Sequence, residues 1–495
     1  MAADFSSSDL DKVSQIPKKV NEIYNKIDSK IPRINFTHKN QTTSPYMSRV
    51  TIRNPKERYC VGNQMTVQVD MFDYFGRRKT HGGDYLRARI FTPEFEAGTS
   101  GRIEDFDNGT YHINFTLFWE GNISVAVFLM HPSEAISALW NSRNTWHGLV
   151  DYSGKFISQK NETDTKCGFA LNRSVELCEY IDHRDGEYFY CIKPTNFLCD
   201  SLTEIKSWFT GNSKLSPLEA SLLVRSNVKV KILNDFQSLN VVSCSSESAN
   251  NKTKCKIGMK LEFPGGYFMK NVWYPRECTM ITYPTTEDLN QCMKEKFIYM
   301  FGDSTLKLWM KYFQKKLKNM TMLNLYGDGW AKPLLGIDLK RNMKILWKRH
   351  AQPFVSSSYH SCREDRTIPR EIDLIGGNQH TIIALHIGIH FRSHPIHHYI
   401  RRLFNIRHAL ERLFHRSPQT KVIIKTENNG EIDVYESKGD FHGYIHYRIL
   451  ESVFKDLNVG FVNGWDMTIA FDSNNLHPPE EYYKNEVDML MTYIC

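Results

Sequence analysis

The chain has 495 residues, with 63 lysines and arginines against 55 aspartates and glutamates, for a formal net charge of +8. So small a surplus over so long a chain argues against a nucleic-acid partner, because nucleic-acid-binding proteins cluster their basic residues on one face or in one run. Hydrophobic residues at 41% and charged residues at 24% exclude a mostly disordered chain. The length predicts about two to four domains, and no apolar run reaches the roughly 18 residues of a transmembrane helix.

The cysteines indicate the compartment. Eight of the 11 lie between Cys167 and Cys292, and none stands in a Cys-x-x-Cys pair of the kind that binds zinc or does redox chemistry. Closely grouped cysteines outside any metal-binding spacing favour disulfides, which need an oxidising compartment.

The glycosylation motifs agree with that compartment. Nine Asn-x-Ser/Thr acceptors are present, at Asn35, Asn40, Asn108, Asn114, Asn122, Asn161, Asn172, Asn251 and Asn319. The start of the chain is polar and acidic, without the basic and apolar regions of a signal peptide. Either this is a cytosolic protein rich in free thiols, or the targeting segment is missing from this form. We favour the second, and expect a secretory-pathway protein of the Golgi lumen or a secreted one.

The first two thirds of the chain divide by pattern. Residues 1–44 form a polar segment, with a short amphipathic helix expected over Val13–Ile31 and a linker after it. Residues 45–156 alternate apolar and polar positions between Gly/Asp/Asn turns, which predicts an antiparallel β-sandwich of immunoglobulin-like type. Residues 157–293 are cysteine-rich and irregular, and are expected to form a disulfide-stapled bridge.

In residues 294–495 the sequence pattern changes to predicted strands that alternate with predicted helices. A buried strand at Phe297–Phe301 precedes a helix whose apolar residues recur at 3.6 spacing. Further strands are predicted at 381–389, 421–426 and 459–462, and further helices at 397–417, 441–457 and 479–494. Strands alternating with amphipathic helices predict an α/β domain with a parallel sheet covered on both faces. In such sheets, sites form beyond the carboxyl ends of the strands.

Ser304 stands at one of these strand ends, after Gly302 and Asp303. Glycine permits a tight turn, and the backbone N–H groups of the following helix can stabilise an oxyanion. This context favours a serine nucleophile. The alternative is that Asp303 or Ser304 only caps the helix.

A serine nucleophile needs a base, and several histidines lie near later strand ends: His386, His390, His394, His397, His398, His442 and His477. His477 precedes Pro478 and Pro479 in a loop before the last helix, where it could reach Ser304. The alternative is that this segment merely starts the helix. The cluster 386–398 could also suggest metal, but it lacks a helical ligand spacing or a carboxylate partner. We therefore expect no metal, and a structural or oxyanion role for this strand end.

Several segments in a fixed order resemble the neurexophilin and PC-esterase (NXPE) family, over about residues 30–495. Those of the C-terminal part are 302–305, 388–392, 421–427, 440–444, 465–468, 477–479 and 493–495. Those resembling the neurexophilin-like domain are 59–62, 76–79, 82–84, 106–111, 119–121 and 131–134.

The resemblance implies an SGNH-type (GDSL-like) acyl-esterase fold, akin to plant glycan acetyltransferases and sialate O-acetyltransferases. In those relatives a Gly-Asp-Ser serine and an Asp-x-x-His segment form a triad. Ser304 and His477 match, but Asn474 stands where the aspartate would be. We expect Asp466 to orient the histidine, with Asp472 as the spare. The resemblance also implies that Gly388 and His390 supply oxyanion donors, alongside the Ser304 N–H.

The expected function is a glycan O-acyltransferase or esterase, most concretely sialic-acid O-acetylation through a serine acyl-enzyme. No bound cofactor is expected, and acetyl-CoA would be the acyl donor, with a glycan or sialylated glycoprotein as acceptor. The competing interpretation is a secreted neurexophilin-like binding protein with an inactive esterase-like domain and a cell-surface protein partner. The enzymatic interpretation requires the Ser304 hydroxyl to lie within reach of a His477 ring nitrogen.

Overall fold

The computed structural model describes residues 15–145, 148–210, 213–244, 252–325, 327, 329, 331–362, 365–430 and 436–495. The first elements are one helix, eight strands and a second helix: α1 (Ile16–Asp28), β1 (Thr43–Arg53), β2 (Tyr59–Cys60), β3 (Gln64–Asp73), β4 (Tyr85–Thr92), β5 (Ala97–Ser100), β6 (Arg102–Asp105), β7 (Thr110–Thr116), β8 (Gly121–His131) and α2 (Ser133–Asn144). The helix expected over 13–31 is observed as α1 within the described residues, and its first two positions, 13 and 14, lie outside them.

The middle of the chain is also mainly strands: β9 (Val150–Ser158), β10 (Asn161–Gly168), β11 (Leu177–Asp182), β12 (Glu187–Ile192), β13 (Leu202–Phe209), α3 (Pro217–Ser221), β14 (Val230–Ile232), β15 (Leu239–Val242), β16 (Gly266–Met269) and β17 (Val272–Pro275). The C-terminal part alternates: α4 (Thr286–Met293), β18 (Phe297–Phe301), α5 (Ser304–Lys316), β19 (Thr321–Asn324), β20 (Leu334–Asp338), β21 (Met343–Lys348), β22 (His360–Ser361), α6 (Ile368–Asp373), β23 (Thr381–Leu385), α7 (Ile396–Arg416), β24 (Lys421–Lys425), α8 (Asp440–Phe454), β25 (Gly460–Val462), α9 (Gly464–Phe471) and α10 (Glu480–Ile494). Short 3₁₀ helices lie at Lys39–Gln41, Pro93–Phe95, Cys199–Ser201, Arg225–Asn227 and Ile389–Phe391.

Two sheets enclose one core in the N-terminal part, which we call the β-domain. One sheet has the order β1-β3-β7-β6, and the other β17-β16-β5-β4-β8-β15-β2, with β14 also pairing with β8. The alternation of β3 puts Met65, Val67, Val69 and Met71 into that core. Strands β14–β17 come from the segment expected to be an irregular bridge, so the β-domain extends beyond residue 156.

Strands β10–β13 of that segment form a further sheet together with β9 and with β22 of the C-terminal part. Its order is β11-β12-β10-β9-β13-β22, and β9 begins at Val150, inside the range expected for the β-sandwich. The disulfides are Cys60–Cys244, Cys167–Cys191, Cys178–Cys199, Cys255–Cys278 and Cys292–Cys495. All eight cysteines between 167 and 292 are therefore paired, which confirms the prediction of disulfides.

The C-terminal sheet is mixed rather than wholly parallel. Its order is β19-β20-β21-β18-β23-β24-β25, in which β19, β20 and β21 pair antiparallel and β21, β18, β23, β24 and β25 pair parallel. Helices cover both faces: Ile383 and Ile424 pack with α7 and α8, while Ala384 and Ile423 pack with α5 and α10. None of the helices in the described ranges has the length and apolarity needed to cross a bilayer.

The parallel strands bring four chain segments to one edge of the sheet. The carboxyl ends of β18, β23, β24 and β25 lead directly into residues 302–305, 386–392, 426–430 and 463–466. Because parallel neighbours end on the same side, the segments singled out in the sequence meet there.

Candidate active site

Ser304 is the first residue of α5, and the residue before it takes the capping role. Asp303 accepts hydrogen bonds through Oδ1 from the Thr305 backbone N–H at 2.8 Å and the Thr305 hydroxyl at 2.7 Å. Gly302 leaves no room for a side chain, because a Cβ there would lie 2.8 Å from the carbonyl oxygen of His386. The turn is thus built by Gly302 and Asp303, and the Ser304 hydroxyl is not needed as a helix cap.

The structure brings Ser304 and His477 together. Ser304 Oγ lies 2.7 Å from His477 Nε2, across 173 residues of sequence. This distance falls within the reach expected of a nucleophile and its general base. Ser304 is partly buried and His477 is exposed, so the pair faces solvent at the edge of the sheet. We call Ser304 and His477 the serine–histidine pair.

His477 belongs to the segment between α9 and α10, residues 472–479, which we call the histidine loop. Its backbone N–H donates to Asn475 Oδ1 at 3.0 Å. The preceding carbonyl, of Leu476, accepts a hydrogen bond from Asn428 Nδ2 at 3.1 Å. Asn428 follows β24, so the sheet edge itself holds the loop next to the imidazole.

Beneath Ser304 lies a buried carboxylate–imidazole pair. Asp303 Oδ2 is 3.1 Å from His386 Nε2, and both side chains are almost fully buried. The Lys425 carbonyl, 3.1 Å from His386 Nδ1, can only accept, so Nδ1 carries a proton. Burial would raise the pKa of Asp303, but the neighbouring His386 outweighs it and holds that pKa well below the usual range. The arrangement fixes the turn that presents Ser304.

The two expected oxyanion residues follow β23. A Cβ on Gly388 would lie 2.8 Å from both His386 Nε2 and Glu427 Cγ, so packing requires glycine there. His390 Nδ1 accepts from the Val355 N–H at 3.0 Å, which leaves the proton on Nε2. Burial lowers the pKa of His390 to about 4, and its Nε2 has no hydrogen-bond partner among the described residues. His390 is thus a neutral, buried N–H donor.

The two aspartates expected to orient His477 both contact the β-domain. Asp466 lies in the first turn of α9, where Oδ1 accepts from the Ser100 hydroxyl and Oδ2 from the Gly265 N–H at 2.6 Å. Asp472 forms an ion pair with Arg89 at 2.7 Å. These hydrogen bonds join Asp466 to the β-domain. Each carboxylate oxygen can accept a second hydrogen bond, so the orienting role of Asp466 toward His477 stays a prediction. The ion pair with Arg89 joins Asp472 to the β-domain in the same way.

A buried network that the sequence motifs did not single out joins three elements of the site. Lys425 Nζ lies 3.0 Å from Glu486 Oε1 and donates to Asn428 Oδ1 at 2.7 Å. Trp309 of α5 donates to Glu486 Oε2 at 2.9 Å. The network ties the serine helix, the end of β24 and α10. Its signal in the sequence is a glutamate on the apolar face of a helix, beside Val487.

The other histidines considered as bases are used in packing or structural hydrogen bonds. His394 Nε2 lies 2.6 Å from the Tyr152 hydroxyl, and His442 Nε2 lies 3.1 Å from the Glu436 carbonyl. His397 stacks on Tyr24 with centroids 4.2 Å apart, and the His398 ring lies 4.8 Å from that of Phe169. This leaves His477 as the histidine next to Ser304.

Most of the glycosylation acceptors lie on the surface. The exposed asparagines are Asn35, Asn40, Asn108, Asn122, Asn161, Asn172 and Asn319. Asn114 is half-buried and accepts from the Thr66 hydroxyl at 2.6 Å. Asn251 lies outside the described residues. Exposure makes the first seven accessible to a glycosyl transfer.

A β-domain, a six-stranded sheet and an α/β domain that carries a serine–histidine pair at its sheet edge define a multidomain, disulfide-bonded class of protein. Residues 39–216 match the neurexophilin domain, and residues 273–495 match the domain described as NXPE family member 4-like, C-terminal domain. The chain belongs to the NXPE family, which confirms the resemblance read from its motifs. Its disulfides and both domains are consistent with the secretory pathway.

Proposed function

We propose that this protein is a serine-dependent glycan O-acyltransferase or esterase, and most concretely that it O-acetylates sialic acids with acetyl-CoA as donor. The observation that carries the proposal is the 2.7 Å contact between Ser304 Oγ and His477 Nε2 at a strand-to-helix turn. We propose in addition that the β-domain is immunoglobulin-like and the α/β domain is of SGNH type. Golgi lumen or secretion is the location that such a substrate requires.

The reaction would proceed through an acyl-enzyme. Ser304 Oγ attacks the acetyl carbonyl carbon while its proton moves to His477 Nε2. The tetrahedral intermediate collapses as the C–S bond to coenzyme A breaks, and His477 returns the proton to the thiolate. A glycan hydroxyl then gives its proton to His477 and attacks the carbonyl carbon of the acetyl-serine. The C–O bond to Ser304 breaks, and His477 returns the proton to Ser304 Oγ as the O-acetylated glycan leaves. With water as the acceptor, the same steps give hydrolysis.

Charge on the carbonyl oxygen would be stabilised by N–H donors at the edge of the sheet. The Ser304 N–H at the start of α5 and the groups of Gly388 and His390 are our candidates. The neutral His390 ring suits this task, because a buried N–H without a partner is a preorganised donor. Because His477 is exposed, the acceptor could approach the pair from the solvent side.

The direct test is incubation of the purified lumenal protein with acetyl-CoA and a sialylated glycan, followed by mass spectrometry. We expect a gain of one acetyl group in the glycan, and loss of that gain in Ser304→Ala. Ser216→Ala is a matched control, since Ser216 is exposed and caps the short helix α3. Acetylation that survives Ser304→Ala would reject the enzymatic proposal and favour the competing binding-protein interpretation.

A further inference from the structure

The histidine loop is anchored from two sides, and the second anchor lies in the β-domain. On the α/β side, Asn428 holds the Leu476 carbonyl and α10 begins after Pro479. At the other end, Asp472 ends α9 in the left-handed conformation, with φ of 64°. The residues between Asp472 and His477 are the ones that aim the imidazole.

Two cations of the β-domain reach these residues. Arg89 of β4 contacts Asp472 Oδ2 at 2.7 Å through Nη1 and donates to the Ala470 carbonyl at 3.0 Å through Nη2. Lys229, just before β14, donates to Asn474 Oδ1 and lies 3.6 Å from Asp472 Oδ1. The side chains of Arg89 and Lys229 are only 12% and 9% exposed, so both cations are held in place.

The close approach of the two domains is built into the backbone. A Cβ on Gly98 of β5 would lie 2.3 Å from the Ala470 carbonyl oxygen, so only glycine lets β5 lie against α9. The buried bonds of Asp466 to Ser100 and Gly265 join the same surfaces. The β-domain therefore packs directly on the helix that leads into the histidine loop.

We infer that Arg89 and Lys229 are positioning residues, and that the β-domain is a structural part of the reacting site. The inference rests on the proposed function. Fixing both ends of the loop keeps the ring nitrogen at hydrogen-bond distance from Ser304. A misplacement of about 1 Å in such a group costs about 100-fold in rate.

The test is the rate at which a fluorophosphonate probe labels Ser304. In that reaction the serine oxygen forms a bond to phosphorus, the P–F bond breaks, fluoride leaves, and His477 takes the serine proton. The rate reports on the serine–histidine pair without any knowledge of the glycan. We expect about a 10-fold loss in Arg89→Ala or Lys229→Ala and about a 100-fold loss in the double variant, with partial recovery in Lys229→Arg.

Lys231→Ala is the matched control, because Lys231 lies two residues further along, in β14, and is exposed. Its labelling rate should stay within about twofold of wild type. Asn474→Ala removes the hydrogen bond to Lys229 from the loop side, and tests the Lys229 part of the positioning role if the double variant fails to fold. A melting midpoint is recorded for each variant, so that rates are compared only between folded proteins.

The outcomes separate the two proposals. Suppose that wild type is labelled and that the double variant and Asn474→Ala are labelled at rates within about twofold of it. The positioning role is then overturned, and the proposed function stands. Wild type that is not labelled at Ser304 overturns the proposed function, and the positioning role with it.

Discussion

Two polar clusters at the same sheet edge differ in their exposure to solvent. The serine–histidine pair is open to solvent on the His477 side, with its reactive atoms 2.7 Å apart. The second cluster is centred on Arg392, in the segment that follows β23. Arg392 is fully buried and donates to Glu427 at 2.7 Å, to Asp440 at 3.3 Å and to two backbone carbonyls. Asp440 in turn accepts from Arg87 of β4 at 2.8 Å. We call Arg392, Glu427, Asp440 and Arg87 the Arg392 cluster.

The comparison separates reactivity from architecture. Charged groups removed from water are tolerated only when they are paired, and each side chain of the Arg392 cluster forms an ion pair within it. Such groups cannot turn toward a substrate without leaving a charge uncompensated. An exposed imidazole beside a hydroxyl loses little by exchanging one partner for another. The closed cluster therefore supports the shape of the edge, and the open pair carries the proposed chemistry.

The largest expected effect comes from breaking the open pair. Ser304→Ala removes one oxygen and should lower the acetylation rate by about 10⁴-fold or more, with His477→Ala comparable, because such residues act as a unit. The free energy of unfolding should change by no more than about 1 kcal/mol, since Asp303 and not Ser304 caps α5. Kinetics measure the acetylation rate, and chemical denaturation of the same preparations measures the unfolding free energy. A large loss of stability would instead make the serine structural.

A substitution in the Arg392 cluster should instead cause a large loss of stability. Arg392→Met leaves the buried Glu427 without its arginine partner and Asp440 with Arg87 alone, and should cost about 3–5 kcal/mol of unfolding free energy. Chemical denaturation measures it, with exposed Arg102→Met in β6 as the control. A change below about 1 kcal/mol would show that the cluster is not the support we describe.

The titration of Asp466, at the junction of the two domains, should make the unfolding free energy depend on pH. Burial raises the pKa of Asp466 to about 7, above the value of about 3.9 in an unfolded chain. A raised pKa means that the stability contribution is present below about pH 4 and is lost as pH rises to about 7. Wild type should therefore lose up to about 4 kcal/mol relative to Asp466→Asn across that range.

The asparagine variant is informative because it imitates the protonated acid. Its amide N–H can donate to Ser100 Oγ while its oxygen accepts from the Gly265 N–H, which are the two contacts of Asp466. Melting curves of both proteins from pH 4 to 8 measure the difference. Parallel curves would mean that Asp466 is charged in the folded protein throughout.

The smallest expected effect comes from Asn428, which joins the end of β24 to the histidine loop. Asn428→Ala removes the bond to the Leu476 carbonyl and the acceptor for Lys425. We expect about 1 kcal/mol of lost stability and a modest drop in fluorophosphonate labelling of Ser304. A labelling rate equal to that of wild type would show that the Arg89 and Lys229 contacts suffice to hold the loop.

Much of the α/β domain could be predicted from periodicity. The helices expected at 397–417 and 441–457 are observed at Ile396–Arg416 and Asp440–Phe454, and the strand at 421–426 as Lys421–Lys425. Two features were beyond that pattern. The antiparallel strands β19 and β20 depend on pairing, and α9 is too short and too uniformly buried for its period to be visible.

The serine and its histidine could also be found in the sequence, since local signals mark both: a strand-to-helix turn at Ser304 and a loop before two prolines at His477. The contacts of Asp466 with the β-domain could not. The sequence predicts an orienting role for Asp466 toward His477, whereas the donors Ser100 and Gly265 lie 366 and 201 residues away. A carboxylate has no local signature that tells which distant donor it will meet.

The sequence by itself determined the order of the two domains, the oxidised cysteines, the alternation of strands and helices, and the two residues that meet at 2.7 Å. These follow from local propensity, burial period and cysteine spacing. The tertiary structure decided which strands of the middle segment join the β-domain, and that Arg89 and Lys229 reach the histidine loop. Those outcomes depend on contacts between residues far apart in the chain, which are set by packing of whole sheets and leave no trace in the spacing of neighbouring residues.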